Sequence, residues 1–300
     1  MKTRIGAVVG AITLIVAAVL VRGLLAGDGG DSPSRRSGER TPVVACSPGV
    51  EAVCEALAAE GAIAENPPTF DLDSDAATTG MLDDRRIDAW ITWNPAGAVA
   101  NEMSNDLEPW GDTTPVGSSP LVLASDSPLP KECDGPTIAW KCVDSAAFEA
   151  GVAVGDPSTI DGLLRTFPVA ALVQRDLNFT DAASMNDVRT LLDIRGSVPT
   201  SMTSELSRAQ APGFYSAIVA TAHGARRAKL AHTKPFAGTT MTLVVTVAST
   251  GAPTDWVRPA FELESVRTAV QDAGVDPDQA TLEGAPAPGA LSALRQEISP

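Results

Sequence analysis

From Thr41 onward, short apolar runs of strand length repeatedly end in a turn or capping signal and lead into helix-length apolar patterns, a grammar that restricts the fold more than any other feature. Thr41-Pro42-Val43-Val44-Ala45-Cys46 is followed by Ser47-Pro48, an N-cap and first-position pair, then by a helical pattern through Val53, Leu57 and Ala58 that Gly61 stops. The run Ile87–Ile91 follows a helical segment near Thr78–Arg85, and Ser119–Ala124 is a further strand. Gly151–Val154 ends in Gly155-Asp156-Pro157-Ser158-Thr159, ahead of a helix carrying Ile160, Leu163, Leu164, Val169 and Leu172. Thr239–Ser249 is the longest β-rich run, and a helical pattern from Asp255 to Ala273 follows it. This alternation predicts βαβ units and a mostly parallel sheet.

Charge and histidine usage remove several function classes. Twenty-two Lys and Arg against 37 Asp and Glu leave a net charge of −15, a field that repels a phosphate backbone, so nucleic acid is excluded as a partner. The two histidines, His223 and His232, and four cysteines without a C-x-x-C pair do not make a zinc site, and no cofactor is expected. Catalytic signatures are missing as well: there is no G-x-S-x-G elbow and no glycine-rich loop ending in Lys-Ser or Lys-Thr, so the chain does not read as an enzyme.

Lys2 and Arg4 precede an apolar run from Ile5 to Val21, and residues 28–40 are Gly, Ser and Arg rich. The run lies near the lower limit of a bilayer span, and Leu24-Leu25-Ala26-Gly27 is a poor cleavage site. The expectation is one N-terminal transmembrane helix: residues 1–27 as signal or anchor, 28–40 as linker, and 41–300 as an extracytoplasmic domain of a single-pass cell-membrane protein. A cleaved export signal is the alternative. An even cysteine count suits an exported chain, and short-loop pairing gives Cys46 with Cys54 and Cys133 with Cys142, against the alternative of four buried thiols.

The ordered series Ile87-Asp88-Ala89-Trp90-Ile91, Gly117-Ser118-Ser119-Pro120-Leu121-Val122-Leu123-Ala124, Ile138-Ala139-Trp140 and Gly155-Asp156-Pro157-Ser158-Thr159 resembles bacterial extracellular solute-binding proteins of the type 2 periplasmic-binding fold. More narrowly, it is similar to the actinobacterial kind often joined to a von Willebrand factor A domain. The resemblance covers roughly Thr41 to Pro277. It implies an α/β, two-lobed domain, with lobe 1 at about 41–125 and 234–300 and lobe 2 at about 126–233.

Ligands of open α/β lobes sit at the carboxyl ends of strands, where helix N-termini leave backbone N–H groups. The strand exits here carry hydroxyls: Ser47, the pair Ser118 and Ser119, and Ser158 with Thr159, while Thr92 and Trp93 follow the tryptophan-bearing strand. These seven residues are the expected ligand-binding set, with plain N-capping as the competing role of the serines. The leading expectation is a membrane-tethered extracytoplasmic binding protein that closes over a small polar or anionic solute, with a membrane transporter or an envelope protein as partner. The alternative is a ligand-free envelope interaction or sensing protein on the same fold, and an extracytoplasmic hydrolase comes third.

Overall fold

Two unusually long strands, not a set of short parallel ones, organise the sheet. The computed structural model describes residues 41–47, 49–64, 87–103, 110–149, 151–155, 160–177, 215–249 and 255–298. Its six strands are β1 (Val44–Cys46), β2 (Ala89–Trp93), β3 (Trp110–Ser125), β4 (Val152–Ala153), β5 (Ala217–Thr221) and β6 (His232–Ala248), in the spatial order β1-β2-β6-β3-β5-β4. Only β1 with β2 and β4 with β5 are parallel; β2 with β6, β3 with β6 and β3 with β5 are antiparallel. The mostly parallel sheet expected from the strand–helix alternation is therefore corrected to a mixed one. The reason lies in β3 and β6, which run antiparallel for nearly their whole length and pass from one half of the sheet to the other. The last part of β6 pairs with β2, and the last part of β3 pairs with β5. Register shifts at Trp110/Thr113, Pro115/Gly117 and Pro120/Val122 bend the pair between the halves. Two of these shifts fall at prolines, which cannot donate to a ladder.

Helices cover both faces. They are α1 (Glu51–Ala59), α2 (Ala96–Met103), α3 (Trp140–Val143), α4 (Ile160–Leu177), α5 (Ala222–Arg227), α6 (Val257–Phe261), α7 (Glu264–Asp272) and α8 (Pro288–Ile298). The disulfide Cys46–Cys54 ties α1 to β1, and Cys133–Cys142 ties a 3-10 turn at Lys131–Cys133 to α3. Helix α2 lies close over the other face because Gly97 has no side chain: a Cβ there would stand 3.0 Å from Thr246 Oγ1 and 3.3 Å from Trp110 Cβ. Under it the rings of Trp90 and Trp110 meet at 5.3 Å. Helix α7 packs on α1, and α8 packs on both α2 and α4.

Three further expectations change. Helix α1 starts at Glu51 with Val50 at its N-cap, so Ser47 caps nothing; its hydroxyl is engaged elsewhere. The single helix expected over 255–273 is two, α6 and α7, separated where Leu263 turns extended. The transmembrane helix is corrected too. Among the described residues no helix is long and apolar enough to cross a membrane, and residues 1–40 lie outside them. The longest described helix, α4, carries Asp161, Arg165, Arg175 and Asp176 and packs against the sheet. The described residues therefore give no support to membrane tethering, the single-pass location or the membrane as a partner, and these readings are not carried further.

Candidate functional site

The hydroxyls at the strand ends are buried and bonded to one another. Ser47 follows β1, and its N–H donates to the Ile91 carbonyl at 3.0 Å, which brings it beside Thr92. Ser47 Oγ and Thr92 Oγ1 are 2.8 Å apart, and Trp90 Nε1 donates to Ser47 Oγ at 3.0 Å. Trp93 points to the opposite face, as alternation along β2 requires. It is buried, and its indole N–H has no acceptor.

Ser118 and Ser119 lie in the middle of β3, where the chain crosses between the halves. Adjacent strand residues face opposite sides, and the two serines do different things. Ser118 Oγ is 3.2 Å from Thr242 Oγ1 on β6 and 3.2 Å from the Thr281 carbonyl. Thr242 Oγ1 donates to that carbonyl at 2.6 Å, and the Thr281 N–H donates back to Ser118 Oγ at 3.2 Å. The Ser118 backbone exchanges bonds of 3.0 and 3.1 Å with Asp276. Ser119 Oγ accepts the His223 N–H at 3.3 Å on the other side. Through the pairings Thr92 with Val244 and Thr242 with Ser118, the Ser47–Thr92 pair and the Ser118–Thr242 pair share one face of the sheet.

Ser158 and Thr159 lie outside the described residues. Beside them, Gly155 adopts φ +98° and Arg165 is fully buried, 3.2 Å from Asp161, with its guanidinium donating to the Val219 carbonyl at 3.3 Å. An apolar recess of about 130 Å³ lies elsewhere, between α4 and β6, with Pro168, Leu172 and Phe236 in its wall and Arg175 at its rim; none of the expected site residues lines it.

His223, at the start of α5, faces Asp276 at 3.6 Å and Arg226 of its own helix at 2.7 Å. Partial burial, helped by the Arg226 charge and opposed by Asp276, lowers its pKa from the usual 6.5. A histidine with a lowered folded-state pKa contributes stability above the unfolded value, and this is lost as pH falls below about 6.5. Comparing urea midpoints of the protein and of His223→Gln at pH 7.5 and 5.5 should therefore show the native chain losing more on acidification than the variant. Equal losses would mean that this imidazole is not pH-linked.

Thr242, Thr281, Asp276 and Trp90 were not among the expected ligand-binding residues, although they complete the bonds above. Thr240, Thr242 and Thr246 do alternate within the β-rich run, a period-2 signal for hydroxyls on one face. Thr281 sits outside any helix or strand and carried no signal.

No protein-family model matches the chain, and no curated protein does. Solved structures match by shape. The periplasmic binding protein AfuA from Actinobacillus pleuropneumoniae, with exogenous fructose-6-phosphate bound, is similar at 12% identity with a TM-score of 0.55, over 78% of this chain and 83% of that one. Iron-bound HitA from Pseudomonas aeruginosa is similar at 12% identity with a TM-score of 0.50, over 87% of this chain and 100% of that one. At such identities the likeness is one of fold: the chain has a type 2 periplasmic-binding-protein-like fold.

Proposed function

We propose that this protein is an interaction or sensing module that keeps the solute-binding fold while its own chain takes the place of a small ligand. One observation carries the reading: Ser47, Thr92, Ser118 and Ser119, all buried, are engaged with Trp90, Thr242, Thr281 and His223. A hydrogen bond to a solute would have to replace one already made, so each of these hydroxyls brings little net gain. The two halves of the sheet act as lobes of about 41–125 with 234–300, and 126–233, a division supported by the crossing of β3 and β6. The disulfides Cys46–Cys54 and Cys133–Cys142 suit an oxidising compartment. The His223 ring faces Arg226 and Asp276 and meets Ser119 only through its backbone, which does not make a base and nucleophile pair. Kinship with the actinobacterial kind often joined to a von Willebrand factor A domain rests on the order of the four segments from Ile87 to Thr159.

A second reading, a small polar or anionic solute on Ser47, Thr92, Trp93, Ser118, Ser119, Ser158 and Thr159, is favoured by one feature. The buried Trp93 N–H lacks an acceptor, a state that costs about 1–3 kcal/mol and that a ligand oxygen would relieve. AfuA and HitA, of like fold, hold fructose-6-phosphate and iron. Thermal unfolding against sulfate, phosphate, molybdate, amino acids and sugars separates the two. A solute at about 100 times its Kd would stabilise the native state by about 2.7 kcal/mol. We expect no shift with any of them; a saturable rise abolished by Ser119→Ala would establish the second reading instead.

A further inference from the structure

We infer that residues 276–290 form an intramolecular strap: they fill a backbone-binding site at the strand crossing in cis, and they open without global unfolding to present that site to an extended peptide segment. The inference rests on the reading of a self-occupied site given above.

The strap is anchored at both ends by apolar burial and held between them by polar contacts. Val275 is fully buried at its root, as is Leu291 beyond its far end in α8, which packs on α2 and α4. Between these anchors nearly every residue is exposed or half-buried, Pro286 excepted. Few buried apolar contacts mean a low local free energy of opening. Hydrogen bonds hold this stretch down. Asp276 extends the ladder at Ser118, on the side of β3 that β5 takes over only from Leu121. Thr281 then offers the backbone of one residue to the hydroxyls of Ser118 and Thr242, its carbonyl accepting from both and its N–H donating to Ser118. Beyond the strap, within α8, Ser292 Oγ donates to Glu102 Oε2 at 2.8 Å.

The root of the strap also joins the two halves of the sheet. Helix α7, which precedes it, packs on α1, whereas α5 follows β5. Between them Arg227 pairs with Asp272, His223 faces Asp276, and Thr221 Oγ1 donates to the Gly274 carbonyl at 3.3 Å. Gly274, at φ +84°, allows this approach: a Cβ would lie 3.0 Å from Gly224 N. The hydroxyl row recognises the backbone of one residue through its carbonyl and its N–H, and it contains no charge. An extended peptide segment supplies that chemistry without bringing a charge, whereas a phosphate or a metal ion brings one that the row does not balance.

Gly117 provides a variant that pushes on the strap and leaves the hydroxyls in place. A Cβ there would lie 2.8 Å from the Asp276 carbonyl oxygen and 2.7 Å from Val275 Cγ1. The test is amide hydrogen exchange of the full chain, with and without sub-denaturing urea, followed at the N–H groups of Ser118, Asp276 and Thr281. Ser118 is the useful reporter, because its N–H donates to the strap while its residue belongs to the sheet. In the native protein these amides should exchange through an opening at least about 100-fold more populated than global unfolding and insensitive to urea. Gly117→Ala should increase that opening about tenfold or more and leave exchange in β1 and β2 unchanged. A synthetic peptide of residues 276–287 should slow Ser118 exchange in Val275→Ala, which loosens the buried root of the strap and adds no atoms to the site. Exchange of these amides only by global unfolding in the native protein would overturn the strap, a measurement that needs no variant. Ser118 exchange unaffected by the peptide would overturn the backbone-binding site. A solute that raised the thermal midpoint of the native chain would sink the self-occupied reading while leaving the exchange pattern as it is, so the two failures are distinguishable.

Discussion

Replacing Arg165 by alanine is expected to destabilise the protein by about 3–5 kcal/mol, the usual cost of removing one partner from a buried ion pair. Its side chain is fully buried and that of Asp161, one helical turn earlier on α4, is 5% exposed, with 3.2 Å between the charged atoms. The guanidinium also caps the Val219 carbonyl of β5 and leaves no room beside Gly155, where a Cβ would stand 2.8 Å from its nitrogen. The substitution therefore removes a charge, a backbone hydrogen bond and the filler between β5 and the turn after β4. Chemical denaturation should show an earlier midpoint at unchanged slope, and melting should fall by roughly 10 °C or more. Replacing both partners by apolar residues, Asp161→Leu with Arg165→Met, should cost less than Arg165→Ala alone, because no buried charge is then left behind. If the double variant is the worse of the two, the pair contributes through attraction rather than through the penalty for breaking it.

What could be read from the sequence followed from local chemistry, and what could not depended on distant pairing. The runs around Val44, Trp90 and Leu121 are buried strands because continuous apolar segments of that length need cover on both faces, and the run of β5 at Ala217–Thr221, of the same kind, was passed over. The full extent of β3 was hidden: Gly111, Asp112, Pro115, Gly117 and Pro120 are poor strand residues, and only the partnership with β6 holds them extended. The same partnership reverses the expected strand direction. For the site, hydroxyls at strand exits were visible, and Ser47 and Thr92 do lie together. What each hydroxyl bonds was not visible, because Thr281 reaches Ser118 across 163 positions of sequence with no secondary structure to announce it. A serine followed by proline reads as a helix cap whatever its distant partners, so Ser47 was given to α1 when its hydroxyl belongs to Trp90 and Thr92.

Reducing both disulfides should destabilise the native protein by about 5 kcal/mol, the sum of about 2–3 kcal/mol for each short loop. The sequence separations are 8 for Cys46–Cys54 and 9 for Cys133–Cys142. The contributions should add because the bridges sit on different elements, one between β1 and α1 and the other between the turn at Lys131 and α3. That amount approaches the whole stability of many domains, typically about 5–15 kcal/mol. All four cysteines are at most 3% exposed, so a reductant acts only after local opening, and the loss should develop slowly. Melting in the presence of a phosphine reductant, after equilibration, should fall by roughly 10–20 °C. The two bridges should nonetheless differ in what they protect. Cys46 immediately precedes Ser47, so Cys46→Ala with Cys54→Ala should speed hydrogen exchange at the Ser47 amide, which donates to Ile91. Cys133→Ala with Cys142→Ala should leave that amide protected and loosen the segment that Lys234 holds through the Cys133 carbonyl. Equal effects of the two pairs at Ser47 would mean that the bridge on β1 stabilises the whole fold without ordering the hydroxyl site beside it.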